Sequence, residues 1–211
     1  MKDLEIKIDN VRHEEEYENI LKKYSTIKTS TEILLSFISH SISPKTKKLL
    51  YRPKGINESE YGYCLGNKFN VIYYLIHKFN IESICDLGSG LGIGLYALKY
   101  YTGVKVKGYD NEELFVNYAN SININTELKD ITKLIRKDIK SYQVLYFYEP
   151  IRNKEISKIF IDNLVKRMIK NQYIFYECAG SMIEHLSKHV NCNTLQLVGK
   201  IHGLYVFKKL K

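Results

Sequence analysis

Cys85-Asp86-Leu87-Gly88-Ser89-Gly90-Leu91-Gly92-Ile93-Gly94 is the stretch on which the reading of this 211-residue chain turns. An apolar run, Ser83–Cys85, leads into it, and a helical pattern, Leu95–Tyr101, leads out. A strand that passes through such a turn into a helix presents unpaired amides at the helix start, where a ligand can meet them. The glycines permit positive φ and close approach to the backbone. Three turn types compete. A Walker A loop needs a Lys-Ser/Thr pair after its last glycine, and none follows here. A dinucleotide turn needs G-x-G-x-x-G/A. Counted from Gly88 its last position is Ile93, and counted from Gly90 it is Leu95, so both frames fail. The third type, D-x-G-x-G-x-G, fits, with Asp86 two residues ahead of the first glycine. A carboxylate there would repel a pyrophosphate and attract a cation.

Working outward, the alternation continues on both sides. Upstream, Leu65, Phe69, Ile72, Ile76 and Phe79 fall three and four apart, as an amphipathic helix requires. Downstream, strand-like runs at Val104–Tyr109, Lys133–Arg136, Val144–Tyr148, Tyr173–Tyr176, Leu195–Val198 and Leu204–Phe207 are separated mostly by helical patterns, among them Glu112–Ser121, Lys154–Lys170 and Met182–Val190. Alternating β and α segments predict an α/β fold with a mostly parallel seven-stranded sheet covered on both faces. The last two strands have only Gly199–Gly203 between them, too short for a crossover helix, and so predict an antiparallel hairpin.

With Asp86 and its glycines in place, the sequence resembles the S-adenosylmethionine-dependent methyltransferases with the Rossmann-like fold, class I, over residues 65–211. The resemblance implies that this turn holds the methionine part of S-adenosyl-L-methionine. Asp86 would contact its amino acid group, directly or through water, while Gly88, Gly90 and Gly92 let it pass, with Ser89 in the same turn. The cofactor's ammonium and sulfonium agree with a carboxylate at this place. A second match is Asp110, at the end of the next strand, followed by Asn111. The family has an acidic residue there, and an ionised carboxylate is a bidentate acceptor suited to two ribose hydroxyls. Asp138, with Ile139 after it, matches the family position beside the adenine amino group. Asp130 competes for that role, and Asp138 is preferred because a helix from Glu112 would leave too few residues for a strand before Asp130.

The family also carries a motif at the end of its fourth strand. Members that methylate base amino groups often have D/N/S-P-P-Y/F there; this chain has Tyr148-Glu149-Pro150-Ile151, with one proline and no final aromatic. Glu149 and Tyr148 are the candidate catalytic residues, placed to position a nucleophile at the carboxyl end of the sheet. A solvated loop carboxylate and an ordinary packed tyrosine are the plain alternatives. His185, His189 and Cys192 have a spacing that can bind zinc, but they do not form H-E-x-x-H, and no metal site is expected.

Composition narrows the rest. There are 32 Lys plus Arg against 23 Asp plus Glu, a formal net charge of +9, which favours anionic partners without bearing on fold. The 18 tyrosines and many lysines also suit an AT-rich coding sequence. No apolar run reaches the roughly 18–20 residues that cross a bilayer, and the charged start MKDLEIKIDN lacks the core of a secretory signal. Four scattered cysteines suit reduced thiols and a cytoplasmic setting. Residues 1–64 form an extension outside the resemblance. Helical patterns occupy residues 13–24 and the segment opened by the capping box Thr29-Ser30-Thr31-Glu32. A non-periodic stretch at residues 51–63 suits a lid. The expectation is a cytoplasmic methyltransferase acting on a nitrogen of a macromolecule, nucleic acid favoured by charge. The alternatives are a protein-lysine or small-molecule methyltransferase, or a non-catalytic binding subunit of the same fold.

Overall fold

The computed structural model describes residues 65–177, 182–201 and 203–211. The readings made on residues 1–64, including the extension, the capping box and the lid, lie outside the described residues. The chain runs through α1 (Leu65–Lys78), β1 (Ser83–Leu87), α2 (Ile93–Thr102), β2 (Lys105–Asp110), α3 (Glu113–Ser121) and β3 (Thr126–Leu128). A 3-10 turn (Ile131–Lys133) and the short α4 (Arg136–Ile139) follow, then β4 (Val144–Tyr148), α5 (Lys154–Arg167), β5 (Tyr173–Glu177), α6 (Met182–Asn191), β6 (Leu195–Ile201) and β7 (Leu204–Lys209).

The strands form one sheet in the order β3-β2-β1-β4-β5-β7-β6. The first five pair in parallel, and β7 is antiparallel to both its neighbours. Five central strands read as unbroken apolar or nearly apolar runs because helices cover both faces. Register-paired residues share a face, so Ile84, Val106, Val144, Phe175 and Val206 pack together against α1 and α2. Cys85, Tyr109, Leu145, Ile174 and Phe207 line the other face, beneath α5 and α6. Asn153 caps α5 by accepting from the Ile156 amide at 3.0 Å.

Two expectations need correction. Lys133–Arg136 is not a strand. The third strand is Thr126–Leu128, only three residues long, paired with Gly108–Asp110. It fits because α3 ends at Ser121 and the turn through Asn123 takes a positive φ of 61°. The Asn120 side chain then holds the strand start, bonding both the amide and the carbonyl of Thr126. The other correction is smaller. The hairpin exists, but Gly199 lies inside β6 beside a bulge between Leu197 and Gly199, and the turn is confined to residues 202–203.

Candidate functional site

β1 pairs with β2 on one side and β4 on the other, and the chain order reverses there. That reversal leaves a crevice at the carboxyl ends of β1 and β4, the place where open α/β sheets bind ligands. The glycine turn after β1 and the Tyr148-Glu149-Pro150 corner after β4 both stand on it. They touch: a Cβ on Gly88 would lie 3.0 Å from Pro150 Cβ, and Gly88 has φ +98°, so both space and conformation demand glycine. Gly92 likewise sits against Ala119 and Ile124, where a Cβ would come within 2.9 Å of Ala119. This seats the start of α2 on α3. Glu149 takes φ 31°, an uncommon value for a residue with a Cβ, so the corner is held by its surroundings.

The carboxylates come next. Asp110 links the two halves of the cradle, since its Oδ2 accepts from the Gly90 amide at 2.8 Å and its Oδ1 from the Glu112 amide at 2.9 Å. A carboxylate offers about four acceptor positions, more than these two amides take up. Asp86 is buried, and burial, Asp110 and Glu177 together push its carboxyl well above the usual range. A cationic ligand group would offset that cost, which is the chemistry expected of an ammonium or sulfonium. The residues therefore fit S-adenosylmethionine: an uncompensated buried carboxyl, a ribose-type acceptor tied to the turn, and a backbone cradle free of Cβ atoms.

Ser89 is placed differently from a ligand contact. Its hydroxyl is buried without a hydrogen-bond partner, over Gly108 and facing Thr126, so it contributes backbone to the turn. Asn111 is exposed just beyond Asp110. Cys85, in the same strand as Asp86, is buried and its thiol is pushed up by burial, so it is no nucleophile.

Asp138 loses the premise for its assignment with the strand that should have preceded it. Its carboxylate closes α4 by accepting from the Ile135 amide at 2.7 Å and pairs with Lys129 at 2.8 Å. Burial opposes ionisation there, but Lys129 and the Ile135 amide outweigh it and hold the carboxyl low. Ile139 is wholly buried among Leu134, Tyr142 and Phe147, and only its carbonyl reaches a polar partner, Gln172. Asp130 is the residue that follows the true third strand. The Lys129 amide beside it bonds the Asp110 carbonyl at 2.8 Å, so this segment is fastened next to the ribose-type acid.

At the other end of the crevice, Tyr148 is partly exposed at 37%. Its register partner on β5 is Glu177, a buried carboxylate that accepts from the Tyr146 hydroxyl at 2.7 Å. Sequence reading missed Glu177. It belongs to the site through strand register across β4 and β5, which no local motif signals. His189 bonds Asp162 at 2.9 Å between α6 and α5, and no metal-type cluster occurs among the described residues.

Solved structures share this arrangement of strands and helices. A candidate RNA methyltransferase, PH1948 from Pyrococcus horikoshii, aligns over 86% of this chain and 96% of its own, with a TM-score of 0.59 at 13% identity. The magnesium protoporphyrin IX methyltransferase ChlM from Synechocystis, solved with bound SAM, covers the same shares at a TM-score of 0.52 and 13% identity. This chain has the class I methyltransferase fold. A ribosomal protein L11 methylase from Lactobacillus delbrueckii subsp. bulgaricus aligns over 72% of this chain and 81% of its own, with a TM-score of 0.51 and 14% identity. No family model and no curated protein matches the sequence. In this methyltransferase fold the glycine turn, Asp86 and Asp110 stand at the carboxyl ends of β1 and β2. No helix among the described residues is long and apolar enough to cross a membrane.

Proposed function

We propose that the chain is an S-adenosylmethionine-dependent methyltransferase that modifies a nitrogen of a macromolecule, with nucleic acid the favoured class. The observation that carries this reading is the pair of buried carboxylates, Asp86 and Asp110, set around a Cβ-free turn at the β1/β4 switch point. The neighbours' methyltransferase titles support the reaction, and the net charge of +9 supports the substrate class.

The bound cofactor supplies a methyl group already activated by a sulfonium. Asp86 holds the amino acid end through its carboxyl. Gly88, Ser89, Gly90 and Gly92 supply the backbone along which that end lies, and Gly88 lets Pro150 close against the turn. Asp110 accepts from the ribose hydroxyls while keeping the Gly90 amide in place, and Asn111 flanks it. Asp130, not Asp138, takes the adenine end in this reading, because it follows the third strand directly. Tyr148 and Glu149 line the acceptor side, where alignment of the attacking atom with the methyl–sulfur bond is the main requirement. Tyr148 presents an exposed ring on which a base can stack.

A radiolabelled methyl-transfer screen over RNA, DNA, protein and metabolite fractions tests the reading. Label is expected in the RNA fraction. Label confined to protein or metabolites would overturn the substrate class, and no label in any fraction, together with no cofactor binding, would overturn the activity.

A further inference from the structure

The cofactor, in the reading above, occupies the side of the switch point made by β1, β2 and β3. That leaves the carboxyl ends of β4 and β5 for whatever receives the methyl group. The register there is exact across three strands. Asp86 on β1 is level with Tyr146 on β4, and Tyr148, two residues further, is level with Glu177 on β5. All four lie on the α1–α3 face of the sheet, because register partners and residues two apart share a face. Glu177 and Asp86 are equally deep, each 6% exposed. The Tyr146 hydroxyl donates to Glu177 Oε2 at 2.7 Å, which fixes the direction of the carboxylate.

A buried carboxylate is costly to keep. An apolar side chain of similar size would fill the same space at the end of β5 without the desolvation penalty. Packing therefore gives no reason for Glu177, whereas a recurring N–H or N–H⁺ partner does. Resting on the methyltransferase reading, we infer that Glu177, oriented by Tyr146, is the positioning carboxylate for the nitrogen of the methyl acceptor. It accepts a hydrogen bond from the N–H of that nitrogen and turns the lone pair toward the methyl group, while Tyr148 beside it supports the acceptor's body. As the nitrogen–carbon bond forms, the carbon–sulfur bond breaks and its electron pair stays on the sulfur. The proton that the nitrogen must then shed passes to the Glu177 carboxylate and on to water.

Two cofactor analogues separate this role from a merely structural one without needing the acceptor. S-Adenosylhomocysteine lacks the transferred methyl group. Sinefungin carries an amine on the carbon that replaces the sulfonium, so its N–H⁺ group points where the acceptor nitrogen would come. Calorimetric affinities of the full-length chain and of E177Q are to be compared for both. E177Q is expected to weaken sinefungin roughly tenfold or more, the scale of a charge-assisted hydrogen bond, while S-adenosylhomocysteine stays within about twofold. If E177Q fails to fold, Y146F unpins the same carboxylate and should weaken sinefungin severalfold, again without moving S-adenosylhomocysteine. Equal loss of both ligands, or loss of neither, overturns the role of Glu177 and leaves the methyltransferase reading standing. Failure of the unaltered chain to bind either ligand overturns both.

Discussion

Burial, Asp110 and Glu177 all push the Asp86 carboxyl upward, so the folded chain holds that proton more tightly than the unfolded one does. The resulting stability is complete below the unfolded carboxyl pKa near 4, is lost as pH rises through the folded value, and stays lost above it. Each unit of upward shift costs about 1.4 kcal/mol at neutral pH. D86N removes the charge but keeps the shape. Thermal melts of the ligand-free chain at pH 5 and pH 8 should show the unaltered protein less stable at the higher pH. D86N should flatten that difference and melt a few degrees higher at pH 8, while binding S-adenosylhomocysteine more weakly. D110A makes a contrasting case. It deletes the acceptor of the Gly90 and Glu112 amides as well as a ribose acceptor, so cofactor affinity should fall by roughly tenfold or more, read by calorimetry. Unchanged affinity would remove Asp110 from the site. Both aspartates were legible in the sequence because each sits at the end of an apolar run, beside its own motif. Glu177 was not, because its tie to Asp86 passes through pairings that only the assembled sheet supplies.

Among the elements, the short segments between β3 and β4 decided where sequence reading failed. Lys133–Arg136 looked like a strand because Leu134 and Ile135 are branched and apolar. In the fold Leu134 plugs the core, Ile135 stays exposed and the chain turns twice around them. The real third strand has three residues, Thr-Glu-Leu, and half its content is polar, so its strand character comes from pairing with β2 and from the Asn120 clamp. The long helices and central strands were legible because many apolar positions repeat at one period. What ties the misread segment down is Gln172, a residue with no motif. It is 2% exposed. Its Nε2 donates to the Ile139 and Tyr142 carbonyls at 2.8 and 2.7 Å, and its Oε1 accepts from the Ile169 amide at 2.7 Å. Q172A leaves three buried backbone groups without partners and should cost roughly 3 kcal/mol. Denaturant titration reads this as a lower midpoint with an unchanged slope. A change below about 0.5 kcal/mol would show that water replaces the clamp.

At the scale of the whole molecule, two ligands with opposite charge logic meet at one sheet edge. The cofactor's cationic groups face buried carboxylates, which salt screens weakly. A nucleic acid would instead be drawn by a surface with nine more basic than acidic groups, and that attraction works by releasing counterions. The two bindings should therefore respond differently to one variable. Between 50 and 200 mM salt, S-adenosylhomocysteine affinity is expected to change by less than about twofold. Binding of a fluorescein-labelled single-stranded RNA, read by anisotropy, is expected to fall at least tenfold. The log–log slope should be about −0.7 for each phosphate neutralised, so three or more contacts give a slope near −2 or steeper. A slope near zero with measurable affinity would mean that stacking, not charge, carries RNA binding. No binding at 50 mM would reduce the net charge to a feature of composition and move the acceptor to protein or a small molecule. Because the cofactor measurement runs in the same buffers, a misfolded sample would lose both bindings together, whereas loss of RNA alone speaks to the substrate.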